Sequence, residues 1–165
     1  MSPIELQKSD ASERALAKLK SQGLSVNEAY EYDPPALPKD VTGLTDEDLM
    51  DLYAKYVAYL EFINLQVWCA LTDKSEAEKD MNLDRARKKL TMKAAGKAVA
   101  LIDSEIEVDV EYRELADKFL ELSNYHSLVL MISDRLSKDI SFINREITRR
   151  VNINKSIGRS SWVTT

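Results

Sequence analysis

Apolar side chains recur along this chain in the alternating four- and three-residue step of a helix that buries one stripe. The longest run is Val108, Tyr112, Leu115, Phe119, Leu122, His126, Val129, Ser133, Leu136, Ile140, Ile143 and Ile147, interrupted only by His126 and Ser133. At 1.5 Å per residue such a helix extends about 60 Å, more than a small core needs, so it calls for partners along its length. An earlier run, Leu49, Tyr53, Tyr56, Leu60, Ile63, Val67 and Ala70, keeps the same step, and Leu52, Tyr59, Phe62 and Trp68 widen it. Thr45 before Asp46-Glu47-Asp48 predicts its start: a capping hydroxyl, then acids at the positive end of the helix dipole. Thr72-Asp73-Lys74 predicts its end, and Ser75-Glu76-Ala77-Glu78 the start of another helix running to about Ile102. The apolar line of that helix is Leu83, Ala86, Leu90, Ala94, Ala98 and Leu101, small enough for a neighbour to come close. Gly96 inside it costs roughly 1 kcal/mol relative to alanine.

The pattern upstream is weaker. Residues 9–20 predict a short helix, capped by Ser9 or Ser12 and ended at Gly23. Its apolar face is thin (Ala15, Leu16, Leu19). Pro34, Pro35 and Pro38 forbid a continuous helix or central strand. Residues 24–44 therefore read as an extended linker or arm, either docked through its tyrosines and Leu37 or left as a tether. The expected class is all-α: long heptad-patterned helices forming a helical bundle or coiled-coil-like assembly, with an extended N-terminal arm. The boundaries are 1–44 for the short helix and arm, 45–151 for the helical core, and 152–165 for a flexible basic tail.

Composition agrees with that class. Charged residues make up 31% of the 165, and there are four glycines and four prolines, which suits long exposed helices. One cysteine, Cys69, excludes an internal disulfide and a four-cysteine zinc site, and its apolar neighbours predict burial. The first residues do not read as a signal peptide, and no run is apolar enough to span a membrane. The expected location is cytoplasmic.

The net charge of −5 conceals blocks. Residues 1–61 carry six basic and twelve acidic side chains. Residues 85–97 carry Arg85, Arg87, Lys88, Lys89, Lys93 and Lys97 and no acid. Residues 103–117 carry seven acids against Arg113 alone. These acids lack a calcium-loop pattern, and the expectation is a solvated junction between helices. A third block holds Arg145, Arg149, Arg150, Lys155 and Arg159, with Trp162 beyond.

No phosphate loop, nucleophile elbow or zinc-protease motif is present, so the expectation is no enzyme, no metal and no cofactor. His126 sits on the heptad seam, where a polar residue sets register more often than it performs catalysis. The basic helix carries the functional expectation. Arg85, Lys89, Lys93 and Lys97 step by four down one side, spaced about 6 Å apart as successive phosphates are. Arg87 and Lys88 broaden the strip, and Arg149 and Arg150 offer a second contact. A solvated surface, or ion pairing with the acidic block, is the competing reading. Self-association is expected along Leu115, Phe119, Leu122, His126, Val129, Leu136, Ile140 and Ile143.

The segment Asp84-Arg85-Ala86-Arg87-Lys88-Lys89-Leu90-Thr91-Met92-Lys93-Ala94 resembles the central basic helix of UvsY-type recombination mediators of tailed phages. There a Lys-Lys pair precedes an apolar residue, two more residues and Lys-Ala. The order of elements over residues 45–150 is also similar: a Tyr-rich helix before, an acidic stretch and a long helix after. The arm of residues 1–44 has no counterpart, and Ala95 stands where a basic residue is expected. The resemblance implies a small helical homo-oligomer that binds single-stranded DNA. It also implies helping a RecA-like recombinase displace single-strand-binding protein, in the host cytoplasm if the chain is phage-encoded. Lys88, Lys89 and Lys93 are then the DNA contacts. Two other readings fit the same residues: a phage structural or packaging component (small terminase subunit or scaffold), and a plain coiled-coil adaptor.

Overall fold

The computed structural model describes residues 4–160, with side chains described as far as residue 153. The side chains of Lys155 and Arg159, and Trp162 as a whole, lie outside the described residues. The fold is all-α. Four helices are described: α1 (Asp10–Ser21), α2 (Asp46–Ala94), α3 (Val99–Val108) and α4 (Val110–Ser160). One two-residue strand pair joins β1 (Ile4–Glu5) to β2 (Ala29–Tyr30), antiparallel, with Ile4 opposite Tyr30. The chain divides into two compact units. One takes residues 1–5, 27–64 and 131–165; the other takes 6–26 and 65–130.

The helix ends have local causes. Ser9 caps α1, its hydroxyl accepting from the amides of Ala11 and Ser12 while Ser12 Oγ accepts from the Ser9 amide. Gly23 closes α1 at φ +78°, and Leu24 N donates back to Leu19 O. Thr45 Oγ1 accepts from the Asp48 amide at the start of α2, as the sequence predicts.

Two expectations are corrected here. No break occurs at 72–75: α2 runs through it without interruption. Thr72 and Ser75 turn their hydroxyls onto the carbonyls of Trp68 and Leu71 one turn back, so their polar groups are satisfied inside the helix. The break falls instead at Gly96. It sits at φ +75°, with Gly96 N donating to Lys93 O and Lys97 N to Met92 O, the paired bonds that close a helix. Gly96 ends α2 rather than weakening its interior. The acidic stretch then forms α3, and the Asp109 side chain accepts from the Tyr112 amide to start α4. At the other end, helical backbone continues past residue 151 to Ser160.

In the first unit α2 and α4 run antiparallel. Asp46 meets Arg150, and Asn64 meets Ser133, so rising numbers on one helix match falling numbers on the other. Leu49, Tyr56, Ile63, Leu136 and Ile143 are buried along this pair, and Phe62 is buried beneath the arm. The arm is docked, not a tether. Tyr30 is buried, with its ring 4.8 Å from Tyr59 and 6.2 Å from Phe62. Val41 is buried as well, whereas Leu37 is only half-buried.

The second unit repeats the antiparallel pairing with other residues. Lys74 lies 6.0 Å over the Phe119 ring, and Lys88 reaches Asp109 and Glu111. The segment before and through α1 lies along α2. Gln7 and Gln66 exchange two hydrogen bonds, Ser9 donates to Asp73, and Arg14 pairs with Glu76 at 3.2 Å. Leu16, Cys69, Ala70, Ala77, Ile102, Ile106 and Val129 are buried there, Cys69 as the sequence predicts.

Candidate nucleic-acid interface

The basic segment occupies the last three turns of α2 and the turn after it. Gly96 reverses the chain there, and α3 brings the acidic block back alongside. Buried Ile102 and Ile106 hold α3 in place. Its carboxylates then meet the cations of the same chain. Asp103 takes Arg85 at 3.0 Å and Lys89 at 2.8 Å. Lys97 pairs with Glu105. Lys88 is the most enclosed, its side chain 16% exposed among Asp84 at 3.1 Å, Asp109, and Glu111 at 3.2 Å.

Titration follows this geometry. Hydrogen bonding to Asp109 raises the Lys88 ammonium above its ordinary range. Lys89 and then Arg85 hold the Asp103 carboxyl low, and Lys88 does the same to Asp109. The acidic block is therefore an intramolecular counter-charge and not a merely solvated junction. Six cations in 85–97 face five acids in 103–111, and little net field remains. Among the described residues, Arg87 and Lys93 are exposed and make no ion pair.

The apolar line expected to pack this helix is also corrected. Leu83, Ala86, Leu90, Ala94, Ala98 and Leu101 all face solvent, Leu90 at 70%. The edge turned inward carries Ala77, then Asp84 and Lys88, the latter two paired as ions at 3.1 Å. Periodicity alone does not choose between two lines one residue apart when a partner's charges decide the matter.

The second basic block is spent on structure. Glu146 is buried, and Arg149 forks onto it with two bonds of 2.7 Å. Arg150 adds a third at 2.8 Å, then reaches Asp46 and the carbonyls of Val41 and Thr42. Arg150 thus ties the arm to the helix pair, while Arg149 stays half-exposed. Arg145 is exposed and unpaired among the described residues. The sequence signal for this clasp was the spacing of Glu146 three and four residues before the two arginines.

The seam expected to mediate self-association is mostly used within the chain. Val129, Leu136 and Ile143 are buried, and Leu115, Phe119, Leu122, His126 and Ile140 are half-buried. Ser133 donates to Asn64 Oδ1 at 2.7 Å, which satisfies the polar seam position.

A pH dependence follows from the clasp. Arg149 first, then Arg150, hold the Glu146 carboxyl down at about 2, against 4.5 ordinarily. The folded state thus binds fewer protons than the unfolded one. The clasp's stabilisation is complete above the unfolded value and disappears as pH falls from about 4.5 towards 2. Urea unfolding at stepped pH should show the midpoint dropping across that window, and less steeply in Glu146→Gln. Equal slopes in the two proteins would assign the acid lability to other carboxylates.

Among the described residues, no three His, Cys, Asp or Glu side chains are grouped to hold a metal, and no helix is long and apolar enough to cross a membrane. These features define an all-α protein of antiparallel helix pairing, with the basic end of α2 ion-paired to α3 and the start of α4. The chain matches no family model, no curated protein and no solved structure.

Proposed function

We propose that this chain is a non-enzymatic assembly protein that acts through protein–protein contacts of a self-associating helical core. The observation that carries this is the inside-out end of α2, where charged Lys88 is enclosed while Leu83 and Leu90 face outward. Apolar side chains exposed in register along one helix face make a patch that a protein partner can cover. Sedimentation across a dilution series tests the reading. Mass rising with concentration is expected, and single-chain mass throughout would end it.

A second reading has its own support. Arg87 and Lys93 remain unpaired among the described residues, on a helix whose Arg85, Lys89 and Lys97 sit in exposed, exchangeable ion pairs. A single DNA strand laid on this helix would exchange carboxylates for phosphates. With the resemblance to recombination mediators, this makes the assembly a platform for single-stranded DNA during loading of a RecA-like recombinase. Single-strand-binding protein is then the species displaced. Fluorescent oligo-dT titrated across a salt series decides it. Binding that weakens with salt, and a shallower salt slope in Lys89→Ala/Lys93→Ala by about one to two counterions, are expected. No binding at low salt leaves the assembly reading alone.

A further inference from the structure

α4 is one helix from Val110 to Ser160, and its inward seam leaves the opposite face to solvent. That face carries a second line in the same three–four step, and every member from Glu114 to Arg145 is exposed. The line is sorted by charge. Glu114, Asp117 and Glu121 come first, with no cation on the line among them. Leu128 and Met131 stand at the middle, 60% and 66% exposed. Arg135, Lys138 and Arg145 follow, with Phe142 on the line among them and no acid. Of these six charged groups, Arg135 alone has an ion partner among the described residues, Asp139 at 4.0 Å.

Resting on the assembly reading, we infer that a second copy of this chain docks on this face, its own α4 antiparallel to the first. The charges select both occupant and direction. A two-fold axis between Leu128 and Met131 sets each of them against the other in the second copy, so the apolar centre covers itself. The same register places Glu121 opposite Lys138 of the second copy and Glu114 opposite Arg145, and symmetry repeats both pairs. Asp117 falls between those two cations, opposite Phe142, and Arg135 falls opposite uncharged Asn124. The flanking charges agree: Lys118 lies beside Asp139 of the second copy, and Asp134 beside Ser127. A parallel pair in register sets every charge of the line against its own copy, which opposes association. Staggering a parallel pair by three heptads matches the charges, but it sets Leu128 against Arg149 and makes an open chain of copies. A polyanion suits the basic half alone and is repelled by the acids on the other side of the centre. The contact reaches about 50 Å along the helix, yet its apolar part is short and its ion pairs are solvated, so the dimer is weak and the chain is single when dilute.

Sedimentation equilibrium of the full chain tests this, with circular dichroism to confirm folding. The wild type should pass from one chain to two as concentration rises. Leu128 is exposed in the single chain, so Leu128→Glu should keep the helix content. It should weaken the dimer by about tenfold or more, a loss of about 1.4 kcal/mol. Glu121→Lys should weaken it too, because Lys138 of the second copy then meets like charge, and Glu121→Lys/Lys138→Glu should restore it. A wild-type dimer indifferent to Leu128→Glu overturns this surface and leaves self-association standing. Failure of the double exchange to restore the dimer overturns the antiparallel arrangement. Mass that climbs past two chains and falls to one with Leu128→Glu points to the open chain and overturns the two-fold pair. A wild type that is monomeric at every concentration overturns both the inference and the reading under it.

Discussion

Ile143→Ala is expected to destabilise the folded chain by about 2–5 kcal/mol, whereas Phe142→Ala, one residue earlier, should change stability by about 0.5 kcal/mol or less. Ile143 is fully buried between α4 and α2, and Phe142 is 49% exposed on the same helix. Truncating Ile143 removes apolar contacts and leaves a cavity that long, paired helices cannot readily collapse. Urea denaturation over a range of dilute protein concentrations measures this. The unfolding midpoint should fall sharply and stay independent of protein concentration. That second criterion separates the two roles open to Ile143. The heptad pattern placed it in an interface between chains, and an interface residue would give a midpoint that moves with concentration. A small, concentration-dependent effect would return Ile143 to that role.

The heptad lines showed correctly that the chain is helical and where its first capped ends fall. Ser9, Gly23 and Thr45 act within four residues of themselves, so local chemistry was enough. Cys69 was readable as buried for the same reason, from its apolar neighbours. What stayed hidden depends on distant pairs. Thr72 and Ser75 look like a helix end, yet their hydroxyls bond back into the helix, and nothing nearby forces a turn. Gly96 looks like a tolerated interior glycine until α3 is seen to need the reversal it makes. The competing ion-pair reading of the basic strip was open from the sequence, but the choice rested on Asp103, Glu105 and Asp109 folding back across Gly96. The same holds for the long seam. A stripe at four–three spacing announces a helical partner without saying whether that partner is α2 of the same chain or another molecule. Here Ser133 answers it by bonding Asn64. Arg150 reaches Asp46, Val41 and Thr42, more than a hundred residues earlier, so its use as a tie for the arm was not legible locally.

The largest functional effect is expected from removing the counter-charge instead of the cations. If a strand binds α2, it competes with the carboxylates already seated there, and neutralising them should favour it. Asp103→Asn/Glu105→Gln/Glu107→Gln deletes three negative charges from α3. It spares Asp109, which starts α4 and holds Lys88. All three side chains are exposed or half-exposed, and buried Ile102 and Ile106 still anchor α3, so the helix should keep its place. Arg85, Lys89 and Lys97 lose their partners and join Arg87 and Lys93 as open cations on one segment. Each newly available phosphate contact adds roughly 0.7–0.9 to the salt slope, so two or three of them should raise low-salt affinity for oligo-dT by tenfold or more. The gain should shrink as salt rises, because the added term is counterion release. Wild-type and triple-variant titrations at matched salt make the comparison. A steeper slope with tighter low-salt binding locates the strand on the α2 cations and makes α3 its intramolecular competitor. An unchanged slope shows that these cations serve the fold alone, and the protein contacts of α2 then carry what the chain does.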